Sequence, residues 1–216
     1  MHLGKLYSNF DLRCKSYSYR VNELIAKKTT ISTWEYNYLT EVLMSDIWQS
    51  WSNFCRELFF SSCRGTIARD GTIIPKRVGD LSWQRLGYEA KKASSGHACT
   101  SQGHLGFFIR YEPTWGDIDV FIKIVQVLLP ANASRLISIY GSFTNLKHLQ
   151  RVRNACAHKN IETLTDIASL STIYSFHKLK YATDLAWKNK INQAEYAIEL
   201  WLFEMNLIAD YATDSA

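Results

Sequence analysis

The chain has 216 residues, of which 47% are hydrophobic and 13% aromatic, enough to bury the core of one large domain. Its formal charge of +5, from 25 basic and 20 acidic residues, is a mild excess that permits a nucleic-acid partner without demanding one. Five cysteines with no regular spacing and no CxxC pair argue against a disulfide framework and read as reduced, mostly buried thiols.

The most apolar window, Val120 to Leu129, is broken by Lys123 and Gln126 and ends at Pro130. It falls short of the roughly 20 apolar residues that span a bilayer. Met1-His2-Leu3-Gly4 leads into polar and aromatic residues, so no secretory leader is expected. The expectation is a soluble, cytoplasmic protein with no membrane partner. Only 3 prolines and 10 glycines punctuate the chain, which favours helices.

In chain order, "SYRVNELIAKK" predicts a short helix ending at Lys27 and Lys28, where positive charge suits the helix dipole. The next is the longest. Ser32 with Glu35 three residues on is a capping-box signature. Leu39, Val42, Leu43, Ile47, Trp51, Phe54 and Leu58 then recur at helical spacing, and the helix should end near Cys63, before Gly65.

From Gly65 to Gly116 the texture changes, and eight of the ten glycines fall there. "RDGTIIPKR" predicts a turn beside a short strand. "DLSWQRLGYEA" predicts a short helix, and "KKASSGHACTSQGHLG" a loop. The region reads as a Gly-rich insertion at 65–116 within a single helical domain over 1–216. "DIDVFIKIVQVLL" has β-branched residues that suit a strand, but its length and flanks favour a helix. Ser134 to Tyr140 reads as another. Thr144 or Asn145 caps a helix running to about His158, and "IETLTDIASLSTIYSFHKL" follows. Leu185, Ile191, Ala194, Ile198, Trp201, Leu202, Met205 and Ile208 mark a last helical period. The sum is an all-α bundle.

"RNACAH", residues 153–158, sets an arginine, an amide and an imidazole among small residues. At about 100° per residue, Asn154 and His158 stack on one face, and Arg153 lies about 140° round from His158. Its long side chain can still bend toward a shared target. These groups suit phosphodiester cleavage without metal or other cofactor. An imidazole titrates near pH 6.5 and can give or take a proton. A guanidinium presents a fork of donors to phosphate oxygens. Asn154 can orient the imidazole or contact the phosphate. One histidine cannot easily be acid and base at once, so two copies across a dimer would complete the set.

Arg-Asn, three residues, then His in a helical protein resembles the HEPN family (higher eukaryote and prokaryote nucleotide-binding). Its motif is Arg, four to six residues, His, often with Asn directly after the Arg. Arg153, Asn154 and His158 match residue by residue. The resemblance implies an up-down helical bundle, a homodimer with a composite active site, and metal-independent endoribonuclease activity on RNA. It implies a toxin or antiphage-defence effector, partnered by an antitoxin or a sensor or activator protein. One subgroup, paired with nucleotidyltransferase antitoxins, carries a modifiable Tyr two residues after the His; here that position is Asn160.

Lys147, Arg151 and Lys159 flank the motif as candidate contacts to the RNA backbone. The competing reading is a catalytically inactive interaction or dimerisation module, or a regulatory subunit of a defence system, with the motif as a buried polar seam. His97, Cys99 and His104 lie near one another in sequence but lack a fourth ligand and the usual zinc spacing, so no metal is expected. The aromatic group Trp48, Trp51, Phe54, Phe59 and Phe60 reads as core.

Overall fold

Helix α1 (Leu3–Lys27) begins well before the expected start in the computed structural model, which describes residues 2–214. Leu3, Leu6, Phe10, Cys14, Val21 and Leu24 are buried at three- and four-residue spacing, so the apolar face begins at Leu3. The polar residues from Ser8 to Ser18 dilute that stripe in the sequence, and tertiary burial overrides their weak propensity.

Helix α2 (Thr33–Arg64) starts where Ser32 Oγ accepts from Glu35 N at 3.2 Å. It ends at Gly65, whose φ of +84° disfavours any side chain and where an added Cβ would lie only 3.0 Å from Lys76 N. Val42, expected on its buried face, is instead 41% exposed. A two-stranded antiparallel hairpin follows, β1 (Thr66–Ile67) with β2 (Ile73–Ile74). Then come α3 (Trp83–Ser95), α4 (Ile118–Leu128), α5 (Ala133–Gly141), α6 (Asn145–His158), α7 (Ile161–Ala168) and α8 (Ala197–Ala212). The fold is an all-α helical bundle, and "DIDVFIKIVQVLL" is helical, its N-terminus capped by the Asp117 carboxylate.

The last stretch departs from expectation. Residues 182–187 form a 3-10 turn, and the chain then runs extended, with single bridges pairing Tyr174 with Lys190 and Asn189 with Tyr196. Ser175 N donates to Asn189 O and Ile191 N to Ile173 O, so those backbone groups are taken by a neighbouring segment rather than by a helix. Asn192 turns the chain at φ +66°, Ile191 is 44% exposed, and the helix begins only at Ala197.

The chain groups into two units. The first comprises 1–10, 51–143 and 208–216; the second comprises 11–50 and 144–207. In the first, Trp51, Phe59, Phe60, Phe121 and Tyr140 are fully buried. Arg56 makes a two-pronged bond to Glu112, at 2.6 and 2.9 Å, and Trp115 Nε1 donates to the same carboxylate at 2.7 Å. The 65–116 region belongs to this unit and buries Ala68, Ile74, Leu86, Ala90 and Trp115. Its loop is tied down, with Arg85 donating to the carbonyls of Thr100 and Ser101 and Tyr88 hydrogen-bonding to Thr100. In the second unit, α6 packs against α7 and the 182–187 turn.

Candidate nuclease site

Helix α6 carries every residue of the motif, and its two ends differ. At the N-terminal end, buried Glu204 from α8 accepts from Asn145 Nδ2, and Lys190 Nζ donates to Asn145 Oδ1 at 3.2 Å. Burial raises the Glu204 carboxyl above its usual value, and the Asn145 side chain and the backbone N–H groups of Asn145 and Leu146 counter only part of that rise. One turn on, His148 is buried, and its Nδ1 lies 3.0 Å from the Tyr174 hydroxyl. Trp201 Nε1 donates to that hydroxyl at 3.2 Å. The Tyr174 hydroxyl thus joins His148 and Trp201 in one buried hydrogen-bonded group. Burial, with Arg151 and Lys190 adding positive charge, pushes His148 down from 6.5 to about 4.

The C-terminal end is open. His158, the last residue of α6, is exposed. Lys159 follows in the left-handed conformation (φ +47°), its N–H closing on Ala155 O. Asn160 then caps α7, its Oδ1 accepting from Thr163 N at 2.9 Å. Asn160 thus has a structural role here. Arg153 and Asn154 are half-buried, and Arg153 Nη1 donates to Asn154 Oδ1 at 3.3 Å. Among the described residues, no carboxylate forms an ion pair with Arg153.

Of the small residues in the motif, Ala155 and Cys156 are buried within their own unit, and burial pushes the Cys156 thiol up to about 12. Only Ala157 lies exposed beside His158. The small residues therefore serve packing inside the chain first. Of the flanking cations, Arg151 pairs with Asp166 at 3.3 Å, Lys159 pairs with Glu41 at 3.3 Å, and Lys147 is half-buried.

Two cavities adjoin this end. One, of about 300 Å³, is lined by Tyr38, Glu41, Val42, Arg153, Cys156 and Lys159 among others. The other, of about 350 Å³, shares Glu41, Cys156 and Lys159 with it and reaches Leu164 and Tyr181. The Lys159–Glu41 pair stands on the wall common to both. His158 lines neither cavity. Tyr38 is 53% exposed, and its ring stacks on that of Trp34, 74% exposed, with centroids 5.5 Å apart and planes 4° from parallel.

The sequence reading did not single out Trp34, Tyr38 or Glu41. The available signal was their phase: Trp34 lies about 200° round the helix from buried Tyr36, on the opposite face. The aromatic group from Trp48 to Phe60 is buried, as expected of core. Four of the five free cysteines are buried and Cys99 is exposed. His104 meets Asp80 at 3.5 Å, and among the described residues no three His, Cys, Asp or Glu side chains group as metal ligands. Among the described residues, no helix is long and apolar enough to cross a membrane. No family model matches this chain, and neither curated proteins nor solved structures yield a match to it.

Proposed function

We propose that this chain is a metal-independent endoribonuclease of the HEPN type, a cytoplasmic toxin or antiphage effector that works as a homodimer. The observation that carries the reading is the solvent-open end of α6. There an exposed imidazole, His158, ends the helix, and five residues earlier lies a guanidinium, Arg153, that forms no ion pair with a carboxylate among the described residues.

In this reaction the substrate's 2′-oxygen forms a bond to the adjacent phosphorus and the bond from phosphorus to the 5′-oxygen breaks. His158 takes the proton of the 2′-hydroxyl, and its counterpart in a second copy gives one to the leaving 5′-oxygen. Arg153 meets the charge that gathers on the phosphorane oxygens. Asn154 holds Arg153 through its side-chain oxygen and orients the imidazole one turn on. The products carry 2′,3′-cyclic phosphate and 5′-hydroxyl ends. Arg151 and Lys159 sit in exposed ion pairs that contribute little to folding, so phosphates can compete for them, and Lys147 adds to the same track.

The test is cleavage of RNA in EDTA. Wild type cuts, and His158→Ala and Arg153→Ala each lose about 10²- to 10⁴-fold in rate. Cleavage that survives both substitutions removes the assignment.

The second reading, an inactive interaction module or regulatory subunit of a defence system, is favoured by one observation. Ile161 and Leu164 on α7, directly after the motif, are 77% and 43% exposed. It predicts that no RNA is cut and that His158→Ala alters association with a second copy or a partner protein.

A further inference from the structure

Trp34 and Tyr38 set two parallel rings in water on one face of α2. Leaving that much aromatic surface exposed forgoes about 25 cal/mol for each Å² that folding would otherwise bury. Folding therefore does not account for it. The pair also does not resemble half of a stable protein interface. Ser45 and Asp46 are exposed alongside Val42 on the same helix, so the apolar patch is small and edged by polar groups. A stable dimer needs about 800 Å² from each copy, with a core depleted of charge.

Tyr38 shares its cavity with three charged groups. Arg153 lines the wall and, among the described residues, forms no ion pair with a carboxylate, while Glu41 and Lys159 pair with each other on that wall. An aromatic ring, a guanidinium and a carboxylate acceptor within one recess of about 300 Å³ match the base face, the phosphate and the base edge of a nucleotide. A nucleotide offers the π-face of its base to the ring, the N–H groups of the base edge to a carboxylate, and its phosphate to the guanidinium.

Resting on the nuclease reading above, we infer that Tyr38, backed by Trp34, is a stacking platform for an unpaired base of single-stranded RNA, with that nucleotide's phosphate held by Arg153. Glu41 accepts from the base edge once its pair with Lys159 opens, and Lys159 is then released toward the backbone. A base held in a duplex is already stacked on both faces and cannot enter. The platform therefore selects single-stranded segments, and Tyr38 and Trp34 act on substrate binding rather than on the chemical step.

The experiment uses the full chain and a fluorescent single-stranded oligoribonucleotide that is 2′-O-methylated throughout, which this chemistry cannot cut. Anisotropy gives the affinity, and a duplex of the same sequence is the control. The single strand should bind more tightly than the duplex. Tyr38→Ala and Trp34→Ala should each weaken single-strand binding about tenfold, while Tyr38→Phe, which keeps the ring, stays within about twofold of wild type. In parallel cleavage of unmodified RNA, Tyr38→Ala should raise KM and leave kcat near wild type.

The inference is overturned if both alanine variants bind the single strand as wild type does. It is also overturned if their loss of binding coincides with a change of oligomeric state in sedimentation, since the rings then serve contact between copies. The two readings fail separately. Cleavage with an unchanged KM in Tyr38→Ala removes the platform and leaves the nuclease. Ring-dependent binding without any cleavage keeps the platform and removes the nuclease.

Discussion

The two ends of α6 carry one histidine each, and they stand in opposite environments. His148 is buried, held by Tyr174, and pushed down to about 4, which keeps it neutral. His158 is exposed on the last turn, next to a half-buried arginine and asparagine. The contrast teaches that an imidazole becomes available for proton transfer through access to solvent and substrate. The buried one orders the chain. The N-terminal network of Glu204, Asn145, Lys190, His148, Tyr174 and Trp201 fixes one end of the helix, so the other end can present its polar groups from a rigid base.

The largest expected effect tests that contrast directly. His158→Ala should lower RNA cleavage about 10²- to 10⁴-fold with a melting temperature near wild type. His148→Gln should do the reverse, lowering thermal stability while cleavage per folded molecule stays within about threefold of wild type. Equal loss of activity in both would erase the distinction between the two ends.

Next in size is Tyr174→Phe. It removes the hydroxyl that accepts from Trp201 Nε1 and bonds His148 Nδ1. Two buried polar groups lose their partner, which should cost about 1–3 kcal/mol in chemical denaturation. A neutral result would show that the buried network holds the helix through packing alone.

The same network predicts a pH dependence. His148 titrates at about 4 in the fold and near 6.5 when free, so the native state binds fewer protons in that interval. Its contribution to stability is complete above 6.5 and is lost as pH falls toward 4. Glu204 acts in the opposite sense, because a raised carboxyl makes ionisation costly as pH rises through the usual carboxylate range. Denaturation series for wild type, His148→Gln and Glu204→Gln separate the two. The decline below 6.5 should flatten in His148→Gln and persist in Glu204→Gln.

The smallest effect concerns the turn after His158. Asn160→Ala removes the cap of α7 and should cost about 1 kcal/mol by thermal melting. Because Lys159 and Asn160 set how α6 ends, cleavage should fall in parallel if the position of His158 matters, and otherwise stay level.

Much of the fold was legible in the sequence because helical periodicity reports burial directly. Ser32 marked the start of α2, Gly65 its end, and Thr144–Asn145 the start of α6. The failures have a common cause. The first turns of α1 looked polar because only Leu3, Leu6, Phe10 and Cys14 carry its buried face. Residues 188–196 looked helical because Ile191 and Ala194 kept the period, yet their backbone pairs elsewhere and their side chains are exposed. At the candidate site, spacing put Arg153, Asn154 and His158 on one helix, and a turn of backbone geometry needs nothing more.

By itself, then, the sequence determined most of the helices, the motif and its phase, since these follow from local spacing. Only the tertiary structure decided which histidine is buried, that Ala155 and Cys156 are consumed by internal packing, and that Tyr38 shares a recess with Arg153. Those facts depend on which segments, far apart in the chain, come to lie against α6. Burial, hydrogen-bond partners and local charge arise from that company, and no single-residue preference encodes it.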